Sequence, residues 1–491
     1  MSAPPRFLAI DLGAESGRAV VGEIAEASLR IREVHRFPNR VVRLGSSLHW
    51  NVYALWEEVR DAIGRAGQSG PLTSIGIDTW GVDFALLAPD GTLIGLPHTY
   101  RDRRTEGAIA SATREMRRSD IYRRTGIQLL PFNTLFQLHA MKLQRSVLPE
   151  LAADLLFMPD LFHFWLTGLR TTEFTFATTS QLYNPTTGGW DDALLELAGV
   201  RRSLMQQIVQ PGTRLGQLSP AVAEHTGCSA PVIAVGTHDT ASAVAAIPAA
   251  DPRFAYISSG TWSLVGAETS APVLTEAAEQ ANFTNEGGVN ATFRLLRNVT
   301  GLWLVQGCRR RWGMEHAEAY AELAAAASEA RPLTALVDPD DPAFFNPVDM
   351  VAAIERRVAD TGQPVPSTPG AIVRCVLESL ALKYRRVLDI LAAIRGQDAS
   401  VIHVVGGGSN NALLCQFTAD ATGLPVVAGP AEATAIGNLL VQAVAAGAIE
   451  SFAEARAVVR RSFEPRCYAP GDRLPWDRAY RRFDQVVSSE Q

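Results

Sequence analysis

The chain has 491 residues, 47% of them hydrophobic, and a formal net charge of −6. That is enough apolar material for two domains with ample cores, and a poor balance for a nucleic-acid surface, since no long basic run offsets the acidity. Apolar stretches break well before membrane-spanning length, Met1–Arg6 does not read as a signal peptide, and the five cysteines lack paired spacing, so reduced thiols, no membrane and a cytoplasmic location are expected.

In chain order, the apolar run Phe7–Ile10 leads into Asp11-Leu12-Gly13-Ala14-Glu15-Ser16-Gly17-Arg18 and then the strand-like Ala19–Glu23. Strand, small-residue turn, strand predicts a hairpin whose tip offers unobstructed backbone N–H groups, an anion nest suited to phosphate. Asp11 is placed to hold Mg²⁺ through water. No GxxxxGK[ST] occurs, so this is not a Walker loop, and a plain turn is the bland alternative. Further on, Ser74–Phe84 sets Asp78 and Asp83 around Trp80-Gly81. An aromatic face beside acceptors suits a sugar, although a lone Trp is more often core.

Val232–Ala246, VIAVGTHDTASAVAA, is the most informative segment. An apolar run expected to be a buried strand stops at Gly236, presents His238-Asp239-Thr240 and passes into a small-residue helix. A carboxylate at a strand end opens on a crevice, as catalytic groups commonly do. The competing reading makes Asp239 an N-cap for a helix starting at Thr240. Ala249–Pro252 follows as a short hinge-like linker. Phe254–Glu268 then repeats the grammar of Phe7–Glu23 about half a chain later, with Ser258–Thr261 at the turn. Two similar α/β domains facing one another across a cleft, each with a phosphate hairpin, would explain the repeat.

Ala321–Ala330 reads as a helix solvated on one face. After the loop Pro364–Gly370, the spacing of Val373, Val376, Leu377, Leu380, Tyr384, Val387, Leu388, Leu391 and Ile394 predicts a long helix with a core stripe. Val401–Val405 feeds Gly406-Gly407-Gly408-Ser409-Asn410-Asn411 and a helix from Ala412, which suits close approach of adenosine and α-phosphate, a tight turn being the alternative. Beyond Pro465, Trp476, Tyr480 and Phe483 mark a terminal helix.

Taken together, AIDLGAESGR (Ala9–Arg18), SIGIDTWGVDF (Ser74–Phe84), GIQLLPFNTLFQL (Gly126–Leu138) and THDTASAV (Thr237–Val244) resemble the FGGY family of carbohydrate kinases. The similarity continues through SSGTWSL (Ser258–Leu264), TNEGG (Thr284–Gly288), LLRNVTGLWLVQ (Leu295–Gln306) and VVGGGSNN (Val404–Asn411), and so runs from about Phe7 to about Phe463. It implies an α/β fold of two actin/Hsp70-like (ribonuclease H-like) domains around a central cleft. Residues 1–248 would form a mainly sugar-binding domain, 249–464 a mainly ATP-binding one, and 465–491 a terminal tail or helix.

The resemblance also implies roles. Asp239 would accept the proton of the attacking hydroxyl, with His238, Thr240 and Gly81 on the sugar and Asn298 contacting it from the second domain. Ala14, Glu15, Ser16, Gly17 and Arg18 would form the first phosphate hairpin, Thr261 would meet the γ-phosphate, and Gln306 and Gly407 the nucleotide. Glu15 departs from the small hydroxyl residue of some relatives, so it either points outward or helps hold the metal. ATP with Mg²⁺ is the implied co-substrate. TWGVDF with HDTASAV points to L-rhamnulose, phosphorylated at O1; L-fuculose or D-xylulose as sugar is the alternative within the family. A chaperone-like ATPase and a catalytically dead sugar sensor are rival readings from other classes, and a monomer is favoured.

Overall fold

The structure is a computed structural model, which describes residues 4–488 apart from 315 and 317. The chain divides into two compact units. One gathers the residues up to Pro248 with Glu268–Leu295 and Ala433–Ser462; the other gathers Ala249–Ala267, Leu296–Glu432 and the chain from Phe463 onward.

The first unit is built on a six-stranded sheet in the order Arg214–Gln217, Pro231–Ile233, Ser74–Thr79, Arg6–Leu12, Ser16–Ala25, Ser28–Pro38. Arg6–Leu12 runs antiparallel to Ser16–Ala25 and parallel to Ser74–Thr79, and all seven of its residues are buried. A strand covered on both faces must be almost continuously apolar, which is how RFLAIDL reads. The helix Val52–Gln68 covers the sheet with Val52, Leu55, Val59, Ala62, Ile63 and Ala66, a stripe at helical spacing. Its start is fixed by Asn51, whose side chain accepts from the Ala54 N–H. The helix Ala433–Ala445 also packs on Arg6–Leu12 and on Asp239–Ala245.

In the second unit Phe254–Ser259 lies antiparallel to Trp262–Thr269 and parallel to Val401–Val405, which is followed by Val426–Ala428 and Arg466–Tyr468. The same connection rule as in the first unit recurs: a hairpin, then a parallel neighbour for its first strand. The helix Pro369–Arg395 buries Val373, Val376, Leu377, Leu380, Tyr384, Val387, Leu388 and Leu391. Ile394, expected in that core stripe, is only half-buried where the last turn runs out toward Gly396. Ala319–Glu329 buries Ala319, Leu323 and Ala327 and leaves its other face to solvent, as its composition predicts. The terminal helix is present at Leu474–Ser488, with Trp476 and Phe483 buried, but a short edge strand, Arg466–Tyr468, precedes it and was not legible in its polar sequence.

Candidate active site

Two strand ends and a hairpin assemble the polar centre of the first unit. The turn between Leu12 and Ser16 is closed by the Gly13 N–H donating to the Ser16 carbonyl at 3.0 Å, while Asn39 holds the Gly13 carbonyl at 2.9 Å. A Cβ on Gly13 would come 2.9 Å from the Ser16 carbonyl oxygen, and one on Gly17 would enter the Phe37 ring. Both glycines are therefore dictated by close approach, which keeps the tip narrow. Ala14 is half-buried, Glu15 and Ser16 are exposed at the tip, and Gly17 is buried. Arg18 turns back on Asp11, its guanidinium 2.7 Å from Oδ2.

Asp239 opens the helix Asp239–Ala245, with His238 as its N-cap. The expected strand to Val235 is shorter, Pro231–Ile233, but the chain stays extended beyond it: the Thr79 N–H donates to the Thr237 carbonyl at 2.9 Å and Thr79 bridges to His238 in parallel. The segment that carries Asp239 is thus stitched to the end of Ser74–Thr79. Asp239 is not the cap, and its side chain meets Thr240 Oγ1 at 3.1 Å and stands 3.5 Å from His238 Nε2. With 30% of its side chain exposed, Asp239 is reachable from solvent. Loss of water around the carboxyl, then the negative charge of Asp11, push its pKa up; His238 and Thr240 oppose that rise.

Gly81 faces this pair. A Cβ there would lie 3.3 Å from His238 Nε2 and 3.5 Å from Thr179 Oγ1, so glycine leaves the space in front of the imidazole open. Asp78, fully buried at the end of its strand, is held well above the ordinary carboxylate range by burial first and then by Asp11, with Asp239 adding to both. Its Oδ2 accepts from Asn438 at 2.6 Å, while Oδ1 is buried with no hydrogen-bond partner among the described residues.

Sequence reasoning missed the groups that brace this centre. Glu173 is fully buried and accepts from the Thr237 N–H at 3.1 Å, the Thr237 hydroxyl at 2.6 Å and the Thr175 N–H at 2.8 Å. Thr175 Oγ1 in turn accepts from the His238 N–H at 3.2 Å. Arg294, completely buried, donates from Nη2 toward His238 Nδ1 at 3.1 Å and Glu286 Oε2 at 3.2 Å, and from Nε to the Gly287 carbonyl at 2.9 Å. Glu286 stands within TNEGG and carried a signal only through resemblance. Asn438 and Gln442 had a signal of their own, two amides four residues apart in an otherwise apolar helix.

At Trp80 and Asp83, where the sequence left both a sugar face and ordinary core open, the structure has core. Trp80 is core, tilted against Trp50 with ring centroids 4.1 Å apart. Asp83 accepts from Trp50 Nε1, Trp80 Nε1, the Tyr100 N–H and Gln137 Nε2 at 2.6–3.1 Å and is fully buried, so it is not presented to a ligand. Burial pushes its pKa up to about 6 against those four bonds.

In the second unit Thr261 sits half-buried at its hairpin turn, and its carbonyl accepts from the Gly301 and Trp303 N–H groups at 3.1 and 3.2 Å. Gln306, on Trp303–Trp312, donates from Nε2 to Thr261 Oγ1 at 3.3 Å, so two residues assigned to the nucleotide meet directly. Asn298 is half-buried on Phe293–Thr300. Of the three consecutive glycines, a Cβ on Gly406 or Gly408 would strike Ser259, at 2.9 and 2.0 Å. Gly407 is exposed with nothing within 4 Å of its Cβ position, so its open face is the one free to receive a ligand.

Two sheets of this design, each with a hairpin tip at the end of a buried strand, define a mixed α/β fold of the actin/ribonuclease H type. Solved structures agree: a gluconate kinase from Lactobacillus acidophilus superposes with a TM-score of 0.83 over 99% of this chain and 98% of that one, at 15% identity. A xylulose kinase from Rhodospirillum rubrum gives 0.79 over 99% and 98%, at 19% identity. Family models match residues 6–246 as the N-terminal domain and 255–446 as the C-terminal domain of the FGGY family of carbohydrate kinases. The chain belongs to that family and is a sugar kinase. It is 47% identical to a rhamnulokinase of Bacteroides thetaiotaomicron over 483 residues, 98% of this chain and 99% of the relative. A rhamnulokinase of Klebsiella pneumoniae strain 342 is 43% identical over 94% of each chain, and one of Halalkalibacterium halodurans 40% identical over 95% and 99%.

Proposed function

We propose that this chain transfers the γ-phosphoryl group of ATP to O1 of L-rhamnulose, giving L-rhamnulose 1-phosphate and ADP. The observation that carries it is the Asp239 carboxylate at the mouth of a buried, bracketed strand end, beside His238 and opposite the gap left by Gly81. Near-full-length similarity to rhamnulokinases supports the choice of sugar.

In this reading Gly81, His238 and Thr240 line the sugar site in the first unit, and Asn298 is the sugar contact of the second. Thr261, Gln306 and Gly407 bind ATP together with the amides of Ala14–Arg18. Asp239 receives the proton of the attacking hydroxyl as its oxygen bonds to phosphorus and the bond to the ADP oxygen breaks. A carboxylate whose pKa is raised above ~3.9 is a better base than an ordinary one, yet still weak for an alcohol. Its share is therefore about 10²–10⁴-fold. The larger part comes from alignment and from donors directed at the charge spreading over the phosphoryl oxygens.

The residues fit a Mg²⁺ ion accompanying the nucleotide. Asp11 and Asp78 place two buried carboxylates near one another, and Asp78 Oδ1 lacks a partner among the described residues. Asp11 would hold the ion through water, and it would neutralise phosphate charge. Glu15 is exposed at the tip, and the hairpin's backbone amides are the groups that meet phosphate in this reading.

The test is ADP release coupled to product mapping across L-rhamnulose, L-fuculose, L-ribulose, D-xylulose and glycerol. L-rhamnulose should give the highest kcat/KM, with phosphate on O1. Preference for L-fuculose or D-xylulose would move the chain to another branch of the family. Equal ATP hydrolysis with and without every sugar would overturn the kinase reading.

A further inference from the structure

We infer that Arg294 fixes the tautomer of His238, so that the imidazole presents an Nε2–H donor beside Asp239 and never a lone pair. The inference rests on the proposed role of Asp239 as proton acceptor for its consequence, but on geometry alone for its substance.

Arginine carries only donors. Arg294 Nη2 lies 3.1 Å from His238 Nδ1, so a proton on Nδ1 would set N–H against N–H with a buried cation behind it. Glu286 Oε2 stands 3.3 Å from the same nitrogen and could accept such a proton, but it is already met by Arg294 Nη2 at 3.2 Å. One Nη2 hydrogen directed to Glu286 and the other to Nδ1 satisfies all three groups, and leaves the ring proton on Nε2. That nitrogen is 3.5 Å from Asp239 Oδ1 and borders the space over Gly81. The opposite tautomer would point a lone pair at the carboxylate.

The arrangement is costly enough to need a reason. Arg294 is wholly buried, and its Nη1 has no hydrogen-bond partner among the described residues. Burying a guanidinium with one nitrogen unsatisfied is the kind of exception that marks functional positions. The Nε of Arg294 is anchored on the Gly287 carbonyl, and the Gly287 N–H is held by Thr178 Oγ1 at 2.7 Å, so the donor is rigidly placed. The consequence for chemistry is a division of labour: His238 offers a hydrogen to a sugar oxygen that can only accept, while Asp239 beside it accepts from the hydroxyl that attacks. Arg294 is thus a positioning residue, and Glu286 the counter-charge that lets it be buried.

Histidine-selective ¹⁵N labelling of the full chain, with long-range proton–nitrogen correlation, reads the tautomer of each of the nine imidazoles. The spectrum of His238→Asn identifies the signal. The wild type should show Nε2–H at His238, and Glu286→Gln should keep it, because the Arg294 donor remains. Arg294→Met should move the proton to Nδ1 or charge the ring, and lower kcat about tenfold or more while leaving KM for ATP unchanged; Arg294→Lys should recover part of the loss. An Nδ1–H tautomer in the wild type, a switch in Glu286→Gln, or an unaltered tautomer in Arg294→Met would overturn the inference. Should Arg294→Met fail to fold, the wild-type and Glu286→Gln spectra still decide. A wild-type protein showing Nε2–H but inactive on every sugar would sink the proposed function and leave the tautomer assignment standing.

Discussion

Asn438 Nδ2 donates to Asp78 Oδ2 at 2.6 Å, joining residues 360 positions apart inside the first unit. Gln442, one turn later on the same helix, donates to Asn438 Oδ1 at 2.6 Å and to the Leu8 carbonyl at 3.0 Å, and accepts from Ser74 at 2.7 Å. A late helix thus returns to pin the ends of two early strands, and it does so through polar groups that are completely buried.

Replacing Asn438 by Leu should therefore cost more than a hydrogen bond. It strips the one side-chain donor that Asp78 has among the described residues from a carboxyl whose charge is already disfavoured by burial and then by Asp11, and leaves Gln442 unpaired on one side. Leaving such groups unsatisfied costs about 1–3 kcal/mol each. Urea unfolding should show Asn438→Leu destabilised by about 2–4 kcal/mol with an unchanged m-value. A stability equal to wild type would mean that Asp78 is protonated and satisfied by water instead.

Asp239→Asn keeps the shape of the base but cannot take a proton. Equilibrium binding of L-rhamnulose should persist while turnover falls about 10²–10⁴-fold. The pH profile of the wild type should lose activity on acidification at a pH above the ordinary carboxylate value of ~3.9, because burial and Asp11 raise the pKa of this group. Turnover in Asp239→Asn above about a tenth of wild type would contradict an essential base.

The three glycines at 406–408 separate structure from ligand contact. Gly408→Ala forces a methyl into Ser259, whose backbone belongs to a central strand, and should destabilise by about 1–3 kcal/mol. Gly407→Ala meets nothing in the protein and should melt like the wild type, yet raise KM for ATP if its open face receives the nucleotide. Paired thermal melts and ATP titrations decide this. Wild-type KM in Gly407→Ala would remove that residue from the nucleotide site.

What could be read in advance divides along physical lines. Both hairpins, the strand-end Asp239 and the long helix at 369–395 are written in local pattern: apolar runs, small-residue turns and 3.6-residue spacing. The exact strand end at Ile233 was not, because Ala234–Thr237 stays extended by bonding to its neighbours, such as Thr79, without continuing the regular ladder. Nor were Glu173, Glu286, Arg294 and Asn438, because the bonds from Glu173 to Thr237, from Arg294 to His238 and from Asn438 to Asp78 span 64, 56 and 360 positions and are chosen by the tertiary fold. Trp80 and Asp83 show the converse, a pattern that admitted a ligand surface but belongs to the core. Their spacing suggested a ligand surface, whereas Trp50, Tyr100 and Gln137, none of them local, consume the carboxylate.

Asp83 gives the last prediction, a pH dependence of stability with a defined sign. Its pKa in the folded protein is about 6, because it is buried at the junction of Trp50, Trp80, Tyr100 and Gln137. In the unfolded chain it returns to ~3.9. Between these values the folded state holds a proton that the unfolded state has released, so the contribution of this site to stability is greatest below pH ~4 and is lost as pH rises through 6. The whole change is about 3 kcal/mol. Asp83→Asn has no such titration, although it loses one acceptor and should be less stable than wild type at low pH. The difference in unfolding free energy, wild type minus Asp83→Asn, should therefore fall as pH rises from about 4.5 to 7. Urea titrations at several pH values measure it. A difference that stays constant, or grows with pH, would show that the four donors hold Asp83 ionised in the fold and that their bonds outweigh its burial.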